Sequence, residues 1–167
     1  MNIHPIEILN LLLDVRCHTK WVYNTLVSVP IKVVSDTELY YYGETYAPWP
    51  VSNRDLVLHV KGNIDYANEI IEINVHSTPG LIPEKKGKVR VPRSHSHWII
   101  KKTPQGCAIT YTLDIDPGGR LPAWLVNFAS VEGPFLSFTE MKKILTSGQY
   151  NKKFSPALLD NPQKGKN

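Results

Sequence analysis

The sequence predicts an α+β fold in which an antiparallel sheet of at least six strands packs against a long C-terminal helix. Two patterns support this prediction. Between residues 25 and 116, short runs of alternating apolar and polar residues are separated by turn residues, as in half-buried strands joined by hairpins. From Pro122 to about Thr146 the apolar residues follow helical spacing instead. A sheet face and a helix face of this kind must bury each other.

The first predicted element is a helix that begins at Pro5 and ends before Trp21. Its apolar residues Ile6, Leu9 and Leu12 recur at helical spacing. Proline is well tolerated in a first helical turn, where the missing N–H has no partner to lose.

Six predicted strands follow, and within each strand alternate residues point to the same face of the sheet. Turn-forming segments separate them, such as the one at 104–106. The predicted strands cover residues 27–33, 39–47, 56–61, 71–75, 89–102 and 108–115.

The final helix carries Trp124, Leu125 and Phe128 among its apolar residues. Gly133 and Pro134 fall inside it. Because a proline in a helix interior removes a backbone hydrogen bond, this helix is predicted to kink or split there.

Composition and charge exclude several classes of function. The formal net charge is +4, and much of that excess lies beyond residue 148, where the chain turns polar and basic. We therefore predict one domain at 1–148 and a polar basic tail at 149–167. A charge this small does not predict a nucleic-acid partner.

The sequence predicts a cytoplasmic protein. No run of about 18 apolar residues is present, so no membrane-spanning helix is predicted. The first residues lack the basic start of a signal peptide, and secretion would require a start further upstream. Cys17 and Cys107 lack metal-type spacing and are predicted to be free thiols, with a single disulfide between them as the alternative.

No catalytic or cofactor-binding motif is present. The sequence contains no G-x-S-x-G, P-loop, G-x-G-x-x-G or H-E-x-x-H segment. His95 and His97 share a strand face, but a third ligand of suitable spacing is missing. Hence neither a metal site, a cofactor nor an enzyme is predicted.

Three segments resemble the START (StAR-related lipid-transfer) domain family, and most of all its phosphatidylcholine-transfer branch. WPVSNRDLV at 49–57 is similar to the family's P-x-S-x-R-D turn. The stretch at 89–100 matches a late strand pair, and DPGGRLPAWLVN at 116–127 is similar to the passage from the last strand to the C-terminal helix. The resemblance covers residues 5–146. It implies a helix-grip fold, with the sheet curved around the C-terminal helix and a hydrophobic tunnel for one sterol, phospholipid or similar molecule.

The chain departs from the family at its N-terminal end. Family domains usually carry a further helix and strand before the segment that begins at Pro5, so the resemblance implies that the N-terminal part of the family domain is missing here. A missing strand would expose backbone groups at a sheet edge. We therefore expect either one open wall in the tunnel or a homodimer formed through that edge.

Arg54 is the leading candidate for a ligand contact. By alternation it shares the apolar face of its strand with Leu56 and Leu58, where a charge is costly unless paired. Its guanidinium suits a carboxylate or a phosphate. In phospholipid-binding members of the family, the arginine of this turn can meet a lipid phosphate. The alternative is a structural salt bridge with Asp55, Glu44 or Asp116.

The other candidates would surround the same tunnel. Gly118 and Gly119 would form a hinge for a lid, or else only a tight turn. The loop at 78–88, with an apolar tip and flanking lysines, suits transient docking on a membrane surface. The predicted ligand contacts besides Arg54 are Leu56, Leu58, Ile73, Tyr111, Leu113, Trp124, Leu125 and Phe128.

The resemblance therefore predicts a protein that binds a lipid or another hydrophobic molecule and that either transfers or senses it. Two alternatives stay open at this point. One is an enzyme of the polyketide cyclase and dehydratase type, which would use a polar group in the same cavity. The other is a structural module whose cavity is filled by its own side chains.

Overall fold

The computed structural model describes residues 3–148 and residue 150, without the side chains of Phe128 and Ala129. Helix α1, Pro5–Leu13, leads into a 3₁₀ helix at Val15–Lys20, and helix α2, Ala123–Thr146, closes the described fold. Between them lie seven strands, with a short 3₁₀ turn at Pro79–Leu81 after the fourth. The strands are β1 Thr25–Ser35, β2 Glu38–Thr45, β3 Arg54–Asp65, β4 Ile70–Ser77, β5 Val89–Arg90, β6 Arg93–Thr103 and β7 Gly106–Asp116.

All seven strands belong to one sheet, in the order β1-β2-β3-β4-β6-β7. The neighbours in this order are antiparallel. Strand β5 lies outside the order and runs parallel to the start of β3, with Val89 opposite Arg54 and Arg90 opposite Asp55. The predicted α+β class, with an antiparallel sheet of at least six strands and a long C-terminal helix, is confirmed. Strands β1 and β7 form the edges of the described sheet, and dimerisation through an edge stays a prediction.

Three predicted elements differ in detail. The single helix expected from Pro5 to before Trp21 is interrupted at Asp14, whose backbone (φ −75°, ψ 69°) is not helical. The strand expected at 89–102 is divided into β5 and β6 at Pro92, which has no N–H for a ladder bond. Helix α2 continues through Pro134 without being split, and a kink at that position stays a prediction.

The hydrophobic core lies at one end of the sheet's concave face. Leu9, Leu11 and Leu13 of α1 are fully buried there against the inner side chains of β3, β4 and β6. Removing a leucine side chain from water contributes roughly 1.5–3 kcal/mol. Met141, in the C-terminal half of α2, is buried in the same cluster. Between the rest of the concave face and the middle of α2 lies a cavity.

The chain beyond α2 is described only in part. Tyr150, which falls in the predicted tail, donates a hydrogen bond of 2.9 Å to the Asn10 carbonyl of α1. The other residues from 149 onwards lie outside the described part of the chain. Neither α1 nor α2 is long and apolar enough to cross a bilayer.

Candidate ligand-binding site

A cavity of about 370 Å³ lies between the concave face of the sheet, the 3₁₀ helix Val15–Lys20 and helix α2. Its volume is in the range of small-molecule sites. Aliphatic and aromatic side chains form most of the wall, among them Val60, Ile73, Trp98 and Phe138.

Seven of the nine predicted contact residues line this cavity. The other two are Trp124, which lies outside the wall, and Phe128, whose side chain is not described. Trp124 is 61% exposed and is not among the described residues of the wall. A helix turns by about 100° per residue, so adjacent side chains point in different directions, and it is Leu125 that faces inward. Phe128 belongs to the side chains that are not described. The predicted residues in the wall are Arg54, Leu56, Leu58, Ile73, Tyr111, Leu113 and Leu125.

The wall also contains residues that the sequence analysis did not single out as contacts. Tyr41 of β2 and Trp98 of β6 are two of them, and alternation along those strands was a sufficient signal for both. Trp21 and Ser28 carried no such signal. Trp21 follows a 3₁₀ helix, and the register of β1 against β2 shifts at several points, which interrupts a strict alternation.

Arg54 lies at the wall with 7% of its surface exposed. Its Nη1 donates to the Ser52 carbonyl at 2.5 Å, and its Nη2 donates to the Gly118 carbonyl at 3.2 Å. The Nε has no hydrogen-bond partner among the described residues. Burial lowers the pKa of Arg54, but a guanidinium remains charged at any physiological pH.

The carboxylates expected to neutralise Arg54 are engaged elsewhere. Asp55 binds Arg90 through two hydrogen bonds of 2.9 Å. Glu44 accepts from the Tyr42 hydroxyl at 2.5 Å and forms an ion pair with Lys88. The structural salt bridge considered for Arg54 is therefore not formed with Asp55 or Glu44.

The third candidate, Asp116, builds the turn that follows β7. Its carboxylate accepts a hydrogen bond of 2.9 Å from the Gly118 amide. Gly118 and Gly119 both have left-handed backbones, with φ of +68° and +66°. A Cβ on Gly118 would lie 3.1 Å from the Arg90 carbonyl oxygen. The two glycines thus form a tight turn that brings a carbonyl to Arg54, and their role as a hinge stays a prediction.

Three further titratable side chains of the wall, His18, Tyr41 and Tyr111, are neutral. His18 is buried, and its Nε2 donates to the Leu12 carbonyl at 2.8 Å. Burial lowers the pKa of His18 to about 4. Burial also raises the pKa of Tyr41 and raises that of Tyr111 to about 12. At pH 7 these three rings therefore offer polar but uncharged edges.

One wall of the cavity is open to solvent. Leu113 and Ile115 of the edge strand β7 line the cavity and are 40% and 38% exposed. No metal-binding group of three or more His, Cys, Asp or Glu side chains occurs in the described part of the chain.

A sheet that grips a helix around an apolar cavity defines the class of protein as helix-grip. The chain belongs to the START domain family, whose family model matches residues 5–149.

Three curated relatives illustrate this membership. The uncharacterised protein PA1579 of Pseudomonas aeruginosa is 31% identical over 122 residues, which cover 72% of this chain and 59% of that protein. Mouse START domain-containing protein 10 is 31% identical over 143 residues, covering 84% and 47%. Rat phosphatidylcholine transfer protein is 32% identical over 106 residues, covering 59% and 48%. The chain thus matches about half the length of these relatives.

Solved structures agree with this family. A STAR-related lipid transfer protein fragment from Xanthomonas axonopodis is 33% identical, with a TM-score of 0.78 over 87% of this chain and 81% of that one. Human STARD10 is 24% identical, with a TM-score of 0.76 over 96% and 69%, and shows the fold alone.

Proposed function

We propose that this chain binds an amphipathic lipid in its cavity, with an anionic group of the lipid at Arg54, and that it transfers this lipid between membranes. The observation that carries the proposal is the buried guanidinium at the wall of an apolar cavity. It has two backbone carbonyls as partners and no carboxylate among the described residues.

The electrostatics of the cavity support a charged ligand group. A buried charge without a counter-ion costs several kcal/mol. A phosphate or carboxylate at Arg54 would remove that cost and give the free Nε–H an acceptor. The aliphatic wall would take up the acyl chains, at about 0.8 kcal/mol per buried CH₂.

The open wall supports the entry and exit of a lipid, including one whose volume exceeds that of the cavity. Leu113 and Ile115, which are partly exposed, would contact acyl chains at the open side. A lipid could then enter between β7 and α2 without unfolding either element.

Exposed aromatic residues near the cavity support contact with a membrane. Trp49 is 91% exposed, in the link between β2 and β3, and Tyr46 of the same link lines the cavity. Trp124 and Phe135 are exposed on α2, the helix that covers the cavity. Tryptophan favours the membrane–water interface, where its ring is half in an apolar environment.

Membrane contact through the loop at 78–88, expected from the sequence, stays a prediction, and this loop lies away from the cavity. None of its residues is among the described residues of the cavity wall. Its Lys85 and Lys88 are engaged with Glu44, and Lys85 also lies 3.8 Å from the centre of the Tyr42 ring. We therefore propose the surface around Trp49 and Trp124 as the membrane contact.

Organic extraction of the purified protein, followed by mass spectrometry, tests the binding. We expect a co-purified lipid that contains a phosphate or carboxylate, and we expect Arg54→Met to lose it. Arg93→Met is the matched control, because it removes an exposed arginine on β6. Lipid retained equally by Arg54→Met would contradict the role of Arg54, and failure to extract or load any lipid would contradict the function.

Co-sedimentation with phospholipid vesicles tests the membrane contact. Trp49→Ala should reduce the bound fraction. Tyr66→Ala removes a similarly exposed aromatic residue, 81% exposed in the link between β3 and β4, and should have no effect. An equal loss in both variants would point to general hydrophobicity instead of a docking surface.

A further inference from the structure

Three buried polar side-chain atoms have no hydrogen-bond partner among the described residues: Trp21 Nε1, Ser28 Oγ and Arg54 Nε. All three residues line the cavity. Trp21 and Ser28 are each only 5% exposed. Because a buried donor without a partner costs about 1–3 kcal/mol, native proteins rarely retain one. Their occurrence around one cavity indicates that a ligand supplies their missing hydrogen-bond partners.

Ser28 lies outside the contact zone of Arg54. Ser28 pairs with Gly43 across the β1–β2 ladder, whereas Arg54 pairs with Thr45 across the β2–β3 ladder. The two residues are thus two strand spacings and two residues apart. With about 4.8 Å between strands and about 3.3 Å per residue, their Cα atoms are roughly 12 Å apart. This distance is too long for one small headgroup to bind Arg54 and Ser28 at the same time.

Trp21 Nε1 and Ser28 Oγ would both be satisfied by a hydrogen-bond acceptor on the ligand. An indole N–H can only donate, and a serine hydroxyl can donate or accept. Trp21 packs with its ring edge-on to His18 at 5.3 Å and belongs to the hydrophobic core. Neither Trp21 nor Ser28 carries a charge, so a neutral oxygen is a better match than a second anionic group.

We propose that Trp21 and Ser28 form a second polar subsite, which binds an uncharged carbonyl oxygen of the lipid whose anionic group lies at Arg54. This inference rests on the proposed function and narrows it. The ligand is then an acylated lipid with an ester or amide carbonyl set apart from its charged group. A free fatty acid or a sterol, whose polar atoms are at one end, satisfies only one of the two subsites.

Calorimetric titration with two short-chain lipids tests the subsite. Dihexanoylphosphatidylcholine has ester carbonyls, and its dihexyl ether analogue lacks them while keeping the phosphate and the chain length. Both are used as monomers in solution. One or two additional hydrogen bonds predict that the ester lipid binds about fivefold to tenfold more tightly. Ser28→Ala and Trp21→Phe should each reduce this ratio toward one.

The matched control is Ser96→Ala, because the Ser96 hydroxyl lies at the same cavity and already interacts with Tyr111. Its ester-to-ether ratio should equal that of the unmodified protein. Thermal unfolding of each variant shows that the fold is retained, and Ser28→Ala serves if Trp21→Phe does not fold. Equal affinity of the unmodified protein for both lipids overturns the second subsite while the proposed function stands. If neither lipid binds, the proposed function fails together with the subsite.

Discussion

Asp55 accepts two hydrogen bonds from Arg90, from Nε to Oδ1 and from Nη2 to Oδ2, both at 2.9 Å. Both side chains are almost fully buried. They meet because β5 runs parallel to β3 with Arg90 opposite Asp55. The preceding residue, Arg54, points to the other face of β3 and lines the cavity. The closest carboxylate in sequence is therefore already paired, and Arg54 stays without a counter-ion among the described residues.

Breaking the Asp55–Arg90 pair should strongly destabilise the fold. In Arg90→Met, Asp55 would be left as a buried charge without a partner, and the loss expected is about 3–5 kcal/mol in the free energy of unfolding. Arg90 also donates to the carbonyls of Pro79, Ile82 and Pro83, so the loop before β5 would lose its anchor. Urea denaturation measures the loss.

The exposed pair of Arg93 and Asp114 provides the comparison for that experiment. Both side chains are more than half exposed, so Arg93→Met should cost less than about 1 kcal/mol. A similar loss in the two variants would contradict the anchoring role of Arg90.

The sequence was sufficient to predict the face of the sheet on which Arg54 lies, because side chains alternate along a strand whatever the rest of the fold does. It was insufficient to predict the partner of Asp55. That pairing depends on β5, a strand of two residues that reaches β3 from 35 positions further along the chain. No local pattern encodes such a contact.

The helix facing the cavity shows a second limit of sequence patterns. Trp124, Leu125 and Val126 are all apolar, and three consecutive residues cover most of a helix circumference. Packing against the sheet decides which of them is inside, and the structure places Leu125 in the wall and Trp124 in solvent. The resemblance of residues 116–127 to the START family identified the segment but not the orientation of each side chain.

Replacing Arg54 should affect stability very differently from replacing Arg90. Arg54→Met loses hydrogen bonds to two carbonyls, each contributing about 1 kcal/mol, but it also removes the desolvation cost of an unpaired buried charge. The delipidated variant should therefore be at least as stable as the delipidated parent protein in urea denaturation. A loss above about 2 kcal/mol would assign Arg54 a structural role instead of a ligand role.

Stability should fall with acidification because of His18. Burial lowers the folded-state pKa of His18 to about 4, whereas the ordinary value is 6.5. Between these values the unfolded chain binds a proton that the folded protein does not, so stability is full above pH 6.5 and decreases as the pH falls toward 4. The shift corresponds to about 3 kcal/mol. Urea denaturation between pH 7 and pH 4 measures this loss.

The contribution of His18 is separated from other groups by His18→Gln, whose amide can still donate to the Leu12 carbonyl. His76 also has a lowered pKa, owing to burial first and then to His59 and His95, so part of the acid sensitivity should remain in this variant. The difference between the two pH profiles gives the His18 component. Identical slopes in both proteins would contradict the prediction.

Substitution of three glycines by alanine should separate backbone strain from crowding in the turn next to Arg54. Gly80 has open space around it and no left-handed φ, so Gly80→Ala should be nearly neutral. Gly87 has a φ of +81° and open space, so Gly87→Ala should cost about 1–2 kcal/mol from the backbone conformation alone. Gly118→Ala should cost more than Gly87→Ala, because its Cβ would also lie 3.1 Å from the Arg90 carbonyl oxygen and from Pro92. Thermal or urea unfolding of the three variants gives the order. If Gly118→Ala cost no more than Gly87→Ala, the turn would be able to move away from β5, as a mobile hinge requires.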